Sequence, residues 1–169
     1  AELAASSNFS FLRGASHAEE LVVQAAKLGL SGISIADRNS VAGVVRAHMA
    51  AKEADVPFAP GCRLVVTDGT PDILVWPQNR LGWANLCELL TAGKRRAPKG
   101  SCYLQLNDLL EWGADLIMAP VFPPKFDGKA CSFLSDLANR VHGKLYIALT
   151  RIYGPHDRRR LDKLTDIAQ

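Results

Sequence analysis

Side chains able to do chemistry are thinly spread along this sequence. The four histidines, His17, His48, His142 and His156, lie far apart, and the four cysteines, Cys62, Cys87, Cys102 and Cys131, form no Cys-x-x-Cys pair. Catalytic zinc usually takes about three His, Cys or carboxylate ligands, and no stretch supplies them at metal-binding spacing. The cysteines read as reduced, structural thiols. Each histidine has an ordinary place: His17 by a helix start, His48 within a helix, His142 near a helix C-terminus whose dipole favours a cation, and His156 in a polar loop. No Gly-x-Ser-x-Gly elbow, P-loop or Gly-x-Gly-x-x-Gly run is present, which removes the commonest sequence signs of hydrolase and nucleotide-binding function. Two basic runs remain, Lys94, Arg95, Arg96 and Lys99, and then Arg158, Arg159 and Arg160. Such runs can meet phosphates, but no aromatic residues are interleaved with them for base stacking. A solvated face is the first reading and nucleic-acid contact the alternative.

The elements that must position these groups alternate between strand and helix. A capping-box pair, Ser16 and Glu19, opens a helix that Gly29 stops. The run "GISIAD" reads as a buried strand, Ser40 as the cap of a helix to about residue 54, and "VPFAPGCRLVV" and "PDILVWP" as further strands. Residues 79–90 read as a helix ended by Gly93, with "KRRAPKGS" as a loop after it. A short helix at 106–112, a strand in "ADLIMAP", a helix at 130–142 closed by Gly143, a strand in "KLYIALT" and a helix from 156 complete the series. This order predicts an α/β protein with a largely parallel sheet, open or closing towards a barrel. Ligands in such folds gather at the C-terminal strand ends, and the first three ends carry one acid, Asp37, and no histidine.

With 169 residues, 48% of them apolar, the chain is long enough for one domain with a substantial core. Its 20 basic and 17 acidic residues leave a net charge of +3, which tolerates a nucleic-acid partner without requiring one. No segment reads as a signal peptide, and no apolar run approaches the roughly 20 residues that span a bilayer. A soluble, cytoplasmic protein with no membrane partner is expected.

The stretches "ELAASSNFSFLRGASHAEELVVQAAKLGL" and "GISIADRNSVAGVVRAHMAAKEADVPFAPGCRLVV" closely resemble the N-terminal polymerase-and-histidinol-phosphatase (PHP) domain of bacterial C-family DNA polymerases. "NFSFLRGASH" and "ADRNSVAGVVRAHMAAKEA" look like the error-prone branch, relatives of the polymerase III alpha subunit. The resemblance spans essentially the whole chain and is strongest over the first 70 residues. It implies a partial, distorted (β/α) barrel with largely parallel strands, in which residues 1–169 are the N-terminal part of a PHP domain that continues beyond them.

In active relatives the first strand ends in a His-x-His pair, and Ala4 and Ser6 stand at those places. Arg13 stands before Gly14 where an acid is common, and Arg38 follows Asp37 where a histidine is common. Arg63 replaces a glutamate, and Asp72 aligns with a further histidine. The resemblance therefore implies a degenerate PHP module that binds no metal and serves as a structural and interaction domain. Its parent would be an error-prone DNA polymerase acting in replication, repair and translesion synthesis. The remainder of that chain, DNA bound through it and other accessory proteins are the implied partners, and catalytic Mg would sit in the polymerase region outside this sequence. The alternative is a metal-dependent phosphoesterase or proofreading exonuclease with relocated ligands among Asp37, Asp72, His17 and His48. Arginine bridges carboxylates well, so at least one ion pair is expected among Arg38, Arg63, Asp37 and Asp72, all placed near one rim.

Overall fold

A computed structural model describes residues 1–123, 129–141 and 144–168, without the side chains of residues 129–131. The chain runs β1 (Glu2–Ala5), α1 (Ala18–Lys27), β2 (Ile33–Arg38), α2 (Val44–Glu53), β3 (Phe58–Leu64) and β4 (Asp72–Pro77). It continues through α3 (Arg80–Arg95), α4 (Leu106–Trp112), β5 (Leu116–Val121), α5 (Lys129–Arg140), β6 (Lys144–Leu145) and α6 (Asp157–Ile167). The six strands form one unclosed sheet in chain order. Pairing is parallel for β1–β2, β2–β3 and β5–β6. Only β4 is reversed, so it pairs antiparallel with β3 and β5.

Successive strand residues face opposite sides of a sheet, and the packing separates them accordingly. Ile33 and Ile35 of β2 join Val22, Ala25, Ala47 and Ala51 of α1 and α2. Cys62 and Leu64 of β3 join Ile73 and Val75 of β4 and Leu86 and Leu89 of α3. On the opposite face Ala36, Leu74 and Ala119 pack together, with Ala4, Trp76 and Ala148 against them. The Trp76 indole N–H donates to the Leu3 carbonyl at 3.1 Å and to Ser34 Oγ at 3.0 Å, tying β4 across to β1 and β2. A side chain at Gly61 would collide with that indole and with Ser34.

Several element ends differ from the sequence-based expectation. The first helix starts one residue late, with His17 as N-cap. The Ser16 carbonyl accepts the Asn8 N–H, which keeps Ser16 in the loop, and the Glu20 carboxylate accepts the His17 N–H at 2.8 Å. Ser40 accepts from the Ala42 N–H in a turn, and Gly43 is the N-cap of α2. Gly93 does not end α3, which runs on to Arg95. Leu104 and Cys102 lie where a Cβ on Gly93 would be, at 2.5 and 2.7 Å, so the glycine serves close packing inside the helix. Lys94 and Arg95 are therefore helical rather than loop residues. The strand in "KLYIALT" shortens to two residues. The proposed stop at His142 and Gly143 lies outside the described residues.

Candidate functional site

The reversed strand brings the N-terminal end of β4 beside the C-terminal end of β3, since Leu64 pairs with Ile73. Arg63 and Asp72 meet at that rim: Arg63 Nε donates to Asp72 Oδ2 at 2.8 Å, with 27% and 24% of the side chains exposed. This is an ion pair of the kind expected from the sequence. Strand alternation puts Arg63 and Asp72 on the face with Leu74, and Arg38 on that face with Ala36. Ala4 and Ser6, half-buried at the end of β1, offer neither imidazole nor carboxylate there.

Asp37 does not belong to this group, contrary to the single-rim expectation. Alternation turns it to the side of Ile35 and the start of α2, where it is 1% exposed. Its carboxylate accepts the Ser7 N–H at 2.8 Å, the Ser7 hydroxyl at 2.6 Å and the Ser10 hydroxyl at 2.6 Å. Ser10 Oγ in turn accepts the Arg38 N–H at 2.9 Å, and Ser7 Oγ accepts the Phe9 N–H at 3.2 Å. Hydroxyls and an amide, rather than a guanidinium, satisfy this buried charge. Asp37 thereby fastens the turn of residues 7–14 onto β2. Arg38 points to an exposed position and makes no side-chain ion pair among the described residues, and Arg13 is exposed on the turn.

Asn39, with φ of 46°, closes the same rim. Its side chain donates to the Val65 carbonyl at 3.0 Å and accepts the Val65 N–H at 2.8 Å, joining the segments after β2 and β3. Between these segments, the turn after β1 and the C-terminal end of α3 lies a cleft of about 820 Å³. Arg38, Lys94 and Lys99 line it, together with Phe9, Phe11 and Tyr103. Phe9 and Phe11 from the turn after β1, with Tyr103 just beyond the basic run, supply the aromatic residues that the run itself lacks. Arg96 is excluded from this set because both its terminal nitrogens are committed to Asp108, at 2.7 and 3.0 Å. Those hydrogen bonds, above all, hold the Asp108 carboxyl below its ordinary range. In the second run, Arg160 is buried and bonded to Asp157 and the Thr150 carbonyl, leaving Arg158 and Arg159 exposed.

The relocated ligands do not come together. His17 meets Asn8 at 3.1 Å, and His48 lies on α2 with its ring 6.3 Å from that of Phe58. Among the described residues, no three His, Cys, Asp or Glu side chains are grouped to hold a metal ion. Cys62 is buried against the Asp37 carbonyl, and burial pushes its thiol up to about 12. Burial also raises Cys87 and Cys102, so these thiols are poor nucleophiles at neutral pH.

The PHP domain model matches residues 2–130. The chain belongs to the PHP domain family. The PHP domain described here is 49% identical over 171 residues to an error-prone DNA polymerase of Sinorhizobium medicae, covering 99% of the chain and 15% of that relative. Identity to error-prone DNA polymerase 1 of Rhizobium meliloti is 50%, again covering 99% of the chain and 15% of the relative. The chain thus spans about 15% of the length of these relatives. Among solved structures, a Bifidobacterium adolescentis protein described as a putative metal-dependent phosphoesterase superposes with a TM-score of 0.67 at 15% identity, covering 98% of this chain and 82% of that one. A Chromobacterium violaceum amidohydrolase superposes with a TM-score of 0.68 at 17% identity and the same coverage. At that identity the likeness concerns the fold. At this rim Ala4 and Ser6 carry no metal-ligating group, Arg63 is paired with Asp72, and the Asp37 carboxylate already accepts three hydrogen bonds on the other face. Among the described residues no helix is long and apolar enough to cross a membrane.

Proposed function

We propose that this PHP domain is a non-catalytic, structural and interaction module of an error-prone DNA polymerase that acts in translesion synthesis and repair. The observation that carries this reading is the Arg63–Asp72 ion pair at the rim where active relatives would bind metal. A guanidinium there supplies positive charge and excludes a cation by repulsion. The buried carboxylate of Asp37 anchors a surface turn. Nucleotidyl transfer, and the Mg that supports it, would reside in the rest of the longer polypeptide, which is the first partner of this domain. Val45 and Met49, one turn apart on α2 and 72% and 53% exposed, offer an apolar surface for such packing. DNA would be engaged through the parent chain, and further polymerase accessory proteins are additional partners on this reading.

Metal analysis of the dialysed protein, with a phosphodiester hydrolysis assay in added Mn or Zn, tests the proposal. Substoichiometric metal and no metal-dependent turnover are expected. About one equivalent of metal or more, lost together with hydrolysis on Asp72→Ala, would restore the phosphoesterase alternative.

A further inference from the structure

We propose that the cleft between the β1–α1 turn and the C-terminal end of α3 binds single-stranded nucleic acid. Phosphates would lie on Arg38, Lys94 and Lys99, and bases against Phe9, Phe11 and Tyr103. The lining contains those three cations and no carboxylate. Close approach of like charges raises energy unless a counter-anion is bound.

The rings point to the second half of the ligand. Phe11 is 85% exposed, and Phe9 and Tyr103 are about half exposed. A phenyl ring on a slack loop would fold onto the nearest apolar surface, yet this turn is fixed by the three hydrogen bonds to Asp37. Two backbone bonds, from Arg13 and Gly14 to the Ser10 carbonyl, tighten it further. A ring held in water beside cations matches the stacking platforms on which unpaired bases sit, and every base has a face to stack. Paired bases in a duplex are already stacked on one another, so the single strand is the selected form. Only Arg38 is shared with the positions discussed for metal, so this inference stands or falls separately from the non-catalytic reading.

The test is fluorescence anisotropy with a labelled oligothymidylate of about 12 nucleotides, within the roughly 4–16 nucleotide footprint of single-strand folds. A hairpin duplex and an oligouridylate are run beside it, across a salt series. Tighter binding of the unpaired strands than of the duplex is expected, and the preferred sugar then tells DNA from RNA. Changing Lys94 and Lys99 together to Ala should flatten the log–log salt slope by about 1.4, near 0.7 per phosphate on a single strand. Phe11→Ala should weaken binding roughly 5- to 150-fold, the range a stacked ring carries, with the slope unchanged. Arg158→Ala with Arg159→Ala should leave affinity alone, and circular dichroism melts should match the parent for all variants. Equal binding of duplex and single strand, no loss on Phe11→Ala, an unchanged slope in the double lysine variant, or no binding even at low salt would each overturn the proposal.

Discussion

Replacing Asp37 by Ala should loosen the β1–α1 turn and cost the domain a large part of its stability. The carboxylate is almost wholly buried and accepts three hydrogen bonds, two of them at 2.6 Å from serine hydroxyls. Hydrogen bonds to a charged group contribute about 1.5–3 kcal/mol each, but three bonds to one carboxylate are not additive. Alanine also leaves the buried Ser7 N–H without its acceptor, while both hydroxyls keep only the backbone N–H groups that they accept. Together these losses come to about 3–5 kcal/mol, in the range of other broken buried polar networks. For a chain of this length that lowers Tm by roughly 6–20 °C. Asp37→Asn keeps the shape but substitutes a donor for one acceptor, and should cost about 1–2 kcal/mol. Urea unfolding followed by circular dichroism measures both, provided the m-value stays constant. Limited proteolysis adds a local readout, because a released turn is cut faster between residues 7 and 14. A change below about 1 kcal/mol on Asp37→Ala, or unaltered cleavage of the turn, would refute the anchoring role.

Other perturbations probe neighbouring parts of the argument. Gly14→Ala would drive a Cβ into the carbonyl oxygens of Ser7 and Ser6, so a lower Tm with faster proteolysis of the turn is expected. Arg63→Ala should cost about 1–2 kcal/mol by stranding a partly buried carboxylate, and the double variant with Asp72→Asn should cost less than Arg63→Ala alone in the same denaturation assay. Asp108 is held below its ordinary 3.8 first by the Arg96 hydrogen bonds and further by the Gln105 N–H. The folded state therefore takes up that proton less readily than the unfolded chain. Its stabilisation is complete above pH 3.8 and disappears as the pH falls through the lower folded value. Acid titration of Arg96→Ala should show a shallower loss of stability below pH 3.8 than the parent.

Much of the architecture was legible from hydrophobic runs and their punctuation, because each run had to bury one face. The short helix at 106–112 and the strand in "PDILVWP" fall where the sequence placed them. What the pattern could not carry was direction: a short link between β3 and β4 signals a hairpin only in retrospect, and the whole rim arrangement depends on it. Gly93 shows the second limit, since a glycine that admits Leu104 looks in sequence like one that ends a helix. At the site, the ion pair between Arg63 and Asp72 was among those expected from the sequence. The sidedness of Asp37 followed from strict alternation with Ile33 and Ile35, a signal present in "GISIAD" but outweighed by proximity to Arg38. The cleft was invisible because Phe9 and Phe11, Arg38, and the run from Lys94 to Tyr103 come from three separate segments, and distance along the chain hides such neighbours.

The reversal of β4 also bears on the order in which the chain organises itself. Residues paired between β3 and β4, such as Leu64 and Ile73, are nine positions apart, whereas Ile33 and Phe58 are 25 apart and Asp72 and Val121 are 49 apart. Closing the shorter loop forfeits less chain entropy, and an antiparallel turn needs no helical crossover before its contacts form. The β3–β4 hairpin at the centre of the sheet is thus the part that can assemble first, with β2 and β1 added on one side and β5 and β6 on the other as their helices dock. In a kinetic analysis, conservative truncations at Ile73 and Val75 should slow refolding, while truncations at Ile33 and Ile35 should mainly hasten unfolding. The reverse pattern would place the nucleus in the β1–β2 half. If the centre does lead, the ion pair between Arg63 and Asp72 closes within the earliest hairpin, so the charges of this rim are matched before the strands on either side are in place.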